Sequence, residues 1–430
     1  MMKNLAKYFD WIAFGLLAAA SPLFIFPKTR FWFILLIIPI LWISRKFLKG
    51  QFSESTPVDF PIFIFLVTIF VTCLKVTDWG YSLPKIAGVF FALAFFYALV
   101  NLLKTKQLIL SAVYLFLAGQ LAFAVIGLLG MPTFKEKHLH LLANLKDKIP
   151  QINFNLPGAE LGFAPTVVGG ILLLALPLFL VMIFTSSGLK RIMFGLGLLF
   201  CGGVLILTQA RGAWMGLFLS TMLIGFAFII NLNSQRKRIS LALIAITLIL
   251  IVNGALFYIK SHENELKPGI KQAEGTMLFR FEMWNLAIPV IRDNPMWGIG
   301  LNNFRSHVPE VRFFLSHAHN QFLHIAAELG ISAAIAFMAI IIIMGLMCFE
   351  VWKKCEDKTL KWICLALGWG QLGHLIFCMT DAIPPGSKVG ILFWISLALI
   401  TTIYLNQGAF LKNRPLDPQK TFIEKDERNN

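Results

Sequence analysis

The run Ser316-His317-Ala318-His319-Asn320-Gln321 sets two imidazoles and two amides directly before an apolar helix. Groups this polar usually stay beside a bilayer when they do chemistry or line a polar cavity. Arg280, Arg292, Arg305 and Arg312 lie in the same hydrophilic stretch, 260–326, and point to an anionic partner. An imidazole can take the proton of an incoming hydroxyl, and a guanidinium fork matches the oxygens of a departing phosphate. Histidine and arginines together therefore suit transfer onto a hydroxyl from a phosphate-activated donor. No D-x-D or paired-carboxylate motif for a divalent metal stands in the outer loops, so arginine alone can supply the charge, and no cofactor is expected.

Two further segments belong to this set. Thr208-Gln209-Ala210-Arg211-Gly212-Ala213-Trp214 reads as a tight turn between apolar runs. Its plainer interpretation is an arginine reaching the headgroups beside an interfacial tryptophan. Arg280-Phe281-Glu282-Met283-Trp284 opens a partly amphipathic helix, with Phe281, Trp284, Leu286 and Ile288 as its apolar side, ended by Asp293-Asn294-Pro295. Gly298 and Gly300 follow and could press backbone N–H groups against a ligand, although G-x-G alone is weak evidence. The plainer interpretation here is an interfacial helix and turn. Asn320, His324 and Glu328, four residues apart, make one polar stripe, in which Asn320 suits a helix cap; His317 and His324 are read as supporting polar groups.

The elements that must hold these residues are membrane helices. Of 430 residues 57% are hydrophobic and 14% charged, against about 25% charged in soluble domains; mean hydropathy is +0.74. Apolar runs near 11–27, 31–44, 60–75, 84–103, 107–130, 164–185, 192–208, 212–232, 240–259, 327–349, 361–380 and 388–405 predict an all-α polytopic membrane protein of about 12 spans. Trp11 to Pro27 is read as a retained first span. The organisation expected is spans 1 to 9 over 1–259 with an outward loop at 131–163, a long outward loop at 260–326, spans 10 to 12 over 327–405, and a basic tail at 406–430.

Lysine and arginine concentrate in alternate short connections, among them Arg45/Lys46/Lys49, Arg236/Lys237/Arg238 and Lys353/Lys354. That bias puts both termini in the cytoplasm and both long loops outside. The net charge of +16 is read the same way, with attraction to anionic headgroups and no nucleic-acid partner. The six cysteines form no C-x-x-C pair, which argues against a disulfide framework or zinc site among them. Seven of the eight histidines lie in or beside the outward loops, and no internal repeat stands out.

His317-Ala318-His319-Asn320-Gln321-Phe322-Leu323 with Glu328-Leu329-Gly330-Ile331 resembles the histidine signature of the O-antigen ligase and polymerase superfamily. The stretches around Arg280…Trp284…Asp293-Asn294-Pro295…Gly298-Ile299-Gly300 and Gln209 to Trp214 are similar to its two other recurring patterns. One departure is Ala333, where a second glycine is common; it bears on the helix packing there. The resemblance implies a metal-independent glycosyltransferase of the bacterial inner membrane with a periplasmic site. It would take a glycan from undecaprenyl pyrophosphate and pass it to an acceptor hydroxyl, in lipopolysaccharide ligases a sugar of the lipid A core. Carried over by motif, His319 is the base, Arg211 and Arg280 bind pyrophosphate, and Asn320, Trp284, His317 and Glu328 support them. A polymerase or a protein O-oligosaccharyltransferase would share the donor, and so these motifs. A transporter of lipid-linked sugars is the alternative of another class; it calls for ionisable groups within the spans, where His374 is a poor candidate.

Overall fold

A computed structural model describes residues 2–25, 36–132, 140–154, 163–229, 234–241, 243–244, 277–308, 317–387 and 389–408. Among them it forms helices and no strand. In chain order these are α1 (Met2–Ile25), α2 (Ile37–Lys49), α3 (Asp59–Thr72), α4 (Trp79–Leu102), α5 (Lys106–Gly130), α6 (His140–Asp147), α7 (Pro165–Leu172), α8 (Leu176–Thr185), α9 (Gly188–Leu207) and α10 (Arg211–Ile229). After the long loop begin α11 (Met277–Asp293), α12 (Phe304–His307), α13 (Gln321–Leu329), α14 (Ile331–Lys354), α15 (Lys358–Cys378) and α16 (Ile391–Asn406).

Six stretches among the described residues are long and apolar enough to cross a membrane: α4, α5, the α7–α8 pair, α9, α10 and α14. The chain is an integral membrane protein of the all-α class. Helices α2 and α3, at 13 and 14 residues, fall short of the about 20 needed to span, and most of the expected ninth span, 240–259, lies outside the described residues. The expected tenth span differs in its start. Gly330, at φ +90°, ends α13 and begins α14, so the histidine-bearing helix and the membrane helix are two elements.

The centre of the bundle is made by α4, α15 and α16, whose facing side chains are nearly all buried, Phe96, Phe377 and Trp394 among them. Lipid tails are as apolar as leucine, so helices in a bilayer associate through close packing, which small residues permit. Helix α10 approaches α15 this way. A Cβ on Gly216 would stand 2.5 Å from the Gly373 carbonyl oxygen, and one on Gly212 2.9 Å from Thr380 Oγ1. That approach brings the first turn of α10, with Arg211, against the turn after α15.

The two ends of the bundle differ in chemistry. At one, Asp10 takes Arg45 at 3.0 Å and Lys49 at 2.7 Å, Asp357 takes Lys106 at 2.6 Å, and Asn101 Oδ1 accepts the Glu54 N–H at 2.9 Å. At the other, Lys75 Nζ donates to the Gly298 carbonyl at 3.1 Å and Asn302 Nδ2 to the Tyr81 carbonyl at 2.8 Å. The basic connections around Arg45, Lys104 and Lys106 thus meet at one end, and the histidine segment lies at the end opposite.

Candidate functional site

Asn320 makes the first turn of α13. Its extended backbone (φ −154°, ψ 118°) lets Oδ1 accept the N–H groups of Phe322 and Leu323 at 3.0 and 3.1 Å, an N-cap. Its amide Nδ2 donates to the Met379 carbonyl at 3.1 Å, tying the cap to the turn after α15. His319, one residue earlier, has φ +49°, a left-handed conformation uncommon outside glycine. The only other non-glycine residues with positive φ among those described are Gln209, in the Arg211 segment, and Asn302. Backbone strain of this kind gathers at functional sites.

The imidazoles of His317 and His319 lie 4.4 Å apart between ring centres, and both approach one carboxylate. His317 Nε2 hydrogen-bonds Asp381 Oδ1 at 3.2 Å. His319 Nδ1 lies 3.3 Å from the same oxygen, off the line of a hydrogen bond. Asp381 Oδ1 also accepts the Ala382 N–H at 2.8 Å, and the residue is only 3% exposed. Burial alone would raise its pKa, but the two imidazoles outweigh that and hold its carboxyl well below the usual range. Burial lowers the pKa of His317, against the pull of Asp381. The other nitrogen of His319, Nε2, is buried with no hydrogen-bond partner among the described residues. Phe279 stacks edge-on against the His319 ring, with centres 5.5 Å apart, and Trp284 Nε1 donates to the His319 carbonyl at 3.3 Å.

Helix α11 brings Arg280 to the same place. Its buried stripe is Phe279, Met283 and Ala287, packed on Ala318 and Ala327; Phe281 and Ile288, read from the sequence as its apolar side, are exposed. Arg280 Nε donates to the Thr380 carbonyl. Burial lowers its pKa, Asp381 raises it, and the nearby charge of Arg211 lowers it again. Arg211 itself is exposed at the start of α10. Trp214 is not a free interfacial anchor: its Nε1 donates to the Leu205 carbonyl at 3.0 Å, closing the α9–α10 turn. Met379, Thr380 and Asp381 therefore take Asn320, Arg280 and the histidine pair in turn. Arg292 pairs instead with Asp293, Arg305 lies over the Tyr81 ring, and Arg312 is outside the described residues.

The glycine-rich turn does a different job from the one expected of it. The N–H groups of Gly298, Ile299 and Gly300 go to the carbonyls of Asn294, Ala327 and Glu328, at 3.0, 3.1 and 2.9 Å, and so are not offered to a ligand. Gly298 and Gly330 have positive φ, and a Cβ on either would meet the other strand of this junction, Glu328 or Met296 backbone, at 2.2 to 2.4 Å. Glu328 completes the clamp. Its Oε2 accepts the Asn302 N–H at 2.7 Å, Oε1 accepts the Phe304 N–H at 3.1 Å, and His324 Nε2 stands 3.4 Å away. Burial pushes the Glu328 carboxyl up to about 7, with the two N–H donors acting against it, and burial holds His324 well below its ordinary value.

Asp381 was not singled out from the sequence. It stands alone in a short connection, 64 positions from His317, and only the fold brings them together. The sole hint was an acid just beyond an apolar run on the side where the histidines gather.

A model of the O-antigen ligase family matches residues 196–338. The chain is also 25% identical over 209 residues to an uncharacterized protein of Haemophilus influenzae, a similarity covering 45% of this chain. It spans about half, 52%, of the length of that curated relative. Members of the matched family are glycosyltransferase-like, and lipid-linked glycans in general are the substrates the family implies. The matched segment holds Arg211, Arg280 and His319 together, and it supports the O-antigen ligase-like superfamily for this chain.

Proposed function

We propose that this protein transfers a glycan from undecaprenyl pyrophosphate to an acceptor hydroxyl, as an O-antigen ligase acting on lipid A-core, at the periplasmic face of the bacterial inner membrane. The observation that carries the reading is the His319 imidazole, whose Nε2 is buried and unpartnered among the described residues while Asp381 faces Nδ1 at 3.3 Å. The Asp381 charge favours the proton on Nδ1 and leaves the Nε2 lone pair to accept. Nε2 takes the acceptor hydroxyl proton as its oxygen attacks the anomeric carbon, and the bond from that carbon to the pyrophosphate breaks. Arg280 and Arg211 hold the departing pyrophosphate, so charge is neutralised without a metal. Trp284 holds the His319 carbonyl, and the next residue, Asn320, is tied to the Met379 carbonyl.

The gathering of the basic connections at the bundle end away from His319 supports cytoplasmic termini and a periplasmic site. The boundary that goes with this reading is a periplasmic catalytic loop that opens near 260 and runs to the Gly330 junction, where α14 begins. The test is transfer of purified lipid-linked glycan to lipid A-core by reconstituted protein. His319→Ala should insert normally and lose transfer, and transfer at the wild-type rate would sink the assignment. After gene deletion, full-length chains stranded on the carrier lipid indicate a ligase, whereas single-repeat glycan indicates a polymerase.

A further inference from the structure

We infer that His317, His319 and Asp381 form a binding site for a borderline-soft divalent cation such as Zn²⁺, and that the cation turns off the His319 base. The three ligand atoms, His317 Nε2, His319 Nδ1 and Asp381 Oδ1, all lie within 4.8 Å of one another. Zinc bonds of about 2.0–2.1 Å in a tetrahedron place neighbouring ligand atoms roughly 3.3 Å apart. The two nitrogens stand 3.2 and 3.3 Å from Asp381 Oδ1, which matches that edge. Aligned hydrogen bonding accounts for the first contact but not for the second, where Nδ1 is buried and makes no hydrogen bond among the described residues. Two imidazoles and one carboxylate are a zinc ligand set that leaves a fourth position open. His317 and His319 keep 22% and 16% of their side chains exposed, so the cluster lies near the surface.

The chemical consequence follows from the tautomer, and this part rests on the proposed role of His319 as the base. A cation on Nδ1 keeps the ring proton on Nε2, so Nε2 becomes a donor and can no longer accept from a hydroxyl. The same contact with Asp381 that prepares the base thus makes it vulnerable. Arg280 and Arg211 oppose a dication nearby, so binding should be reversible by a chelator.

The experiment uses full-length, tag-free protein in detergent, with Zn²⁺ alone measured by equilibrium dialysis and Co²⁺ as the spectroscopic probe. One Zn²⁺ per chain is expected to be lost, with affinity reduced by more than the ~10–100-fold that outer-shell changes cost, in both His317→Ala and Asp381→Asn. His307→Ala should bind like wild type. Co²⁺ in the wild-type protein should give the intense visible bands of a four-coordinate site. Absence of stoichiometric binding, or binding indifferent to His317→Ala and Asp381→Asn, overturns the site. If a variant does not fold, the wild-type Co²⁺ spectrum decides, a weak six-coordinate spectrum counting against it. Zinc bound at this site with glycan transfer undiminished would leave the site standing and instead refute His319 Nε2 as the base.

Discussion

Replacing Glu328 by Gln isolates one buried proton. The carboxyl is 2% exposed, and burial moves it from 4.5 to about 7. Each pKa unit is worth about 1.4 kcal/mol, so the change amounts to about 3 kcal/mol of pH-dependent stability. Its direction is fixed by linkage: between pH 4.5 and 7 the folded protein holds this proton and the unfolded chain does not. The contribution is therefore fully present below pH 4.5 and is lost as pH rises to about 7. The amide introduced by Glu328→Gln does not titrate, although its single oxygen leaves one of the Asn302 and Phe304 N–H groups unpaired, a constant cost of about 1–3 kcal/mol. His317 and His324, whose pKa values burial lowers, give the opposite slope in both proteins and cancel in the difference. Denaturant unfolding of both proteins in one detergent, from pH 4.5 to 7.5, measures it. The stability of wild type minus Glu328→Gln should fall by about 3 kcal/mol across the window. A difference that is flat, or that rises with pH, refutes the reasoning.

Three other outcomes can be checked directly. Arg280→Ala should lower kcat/KM for the lipid-linked donor by roughly 10–100-fold, the equivalent of about 1.5–3 kcal/mol from charge-assisted bonds, and Arg280→Lys should fall between, since it keeps charge but not the fork; steady-state kinetics on purified donor reads both. Asp381→Asn, acting through the imidazole it faces, should cost on the order of 10²-fold in kcat with donor KM nearly unchanged, because the arginines and not Asp381 hold pyrophosphate; a rise in KM alone would contradict that role. Gly330→Ala, at φ +90° and 2.2 Å from the Met296 carbonyl oxygen, should destabilise by about 1–3 kcal/mol or more, whereas Gly345→Ala, with open space around it, should not; thermal unfolding of the two side by side decides.

The helices were legible where hydropathy is high and length sufficient, as over Trp79–Leu102 and Ile331–Lys354. Their ends were less so. Gly330 falls inside the expected span 327–349, and its positive φ and close approach to the Met296 carbonyl are features no local pattern reveals. The segments bearing Arg211, Arg280 and His319 could be picked out because polar groups beside apolar runs stand out one by one. What they gather around could not: Asp381 is a single acid with no periodic neighbours. Gly298 and Gly300 misled for a related reason, since a glycine that lets backbone come close looks the same whether it meets a phosphate or the end of α13. Glu328 follows His324 by one helical turn, a spacing the sequence shows, but its two N–H partners at Asn302 and Phe304 depend on the chain doubling back.

The turn at Met379–Asp381 has a bearing on engineering. Three consecutive residues receive the cap of α13, the guanidinium of α11 and the histidine pair, so the register of segments far apart in the chain is set by one short ruler. A chimera that imports only 277–330 from a relative would match new side chains to an old gauge, and inserting one residue between Cys378 and Met379 would shift all three partners together. The exchangeable module is therefore discontinuous: the loop and this turn have to travel as a pair.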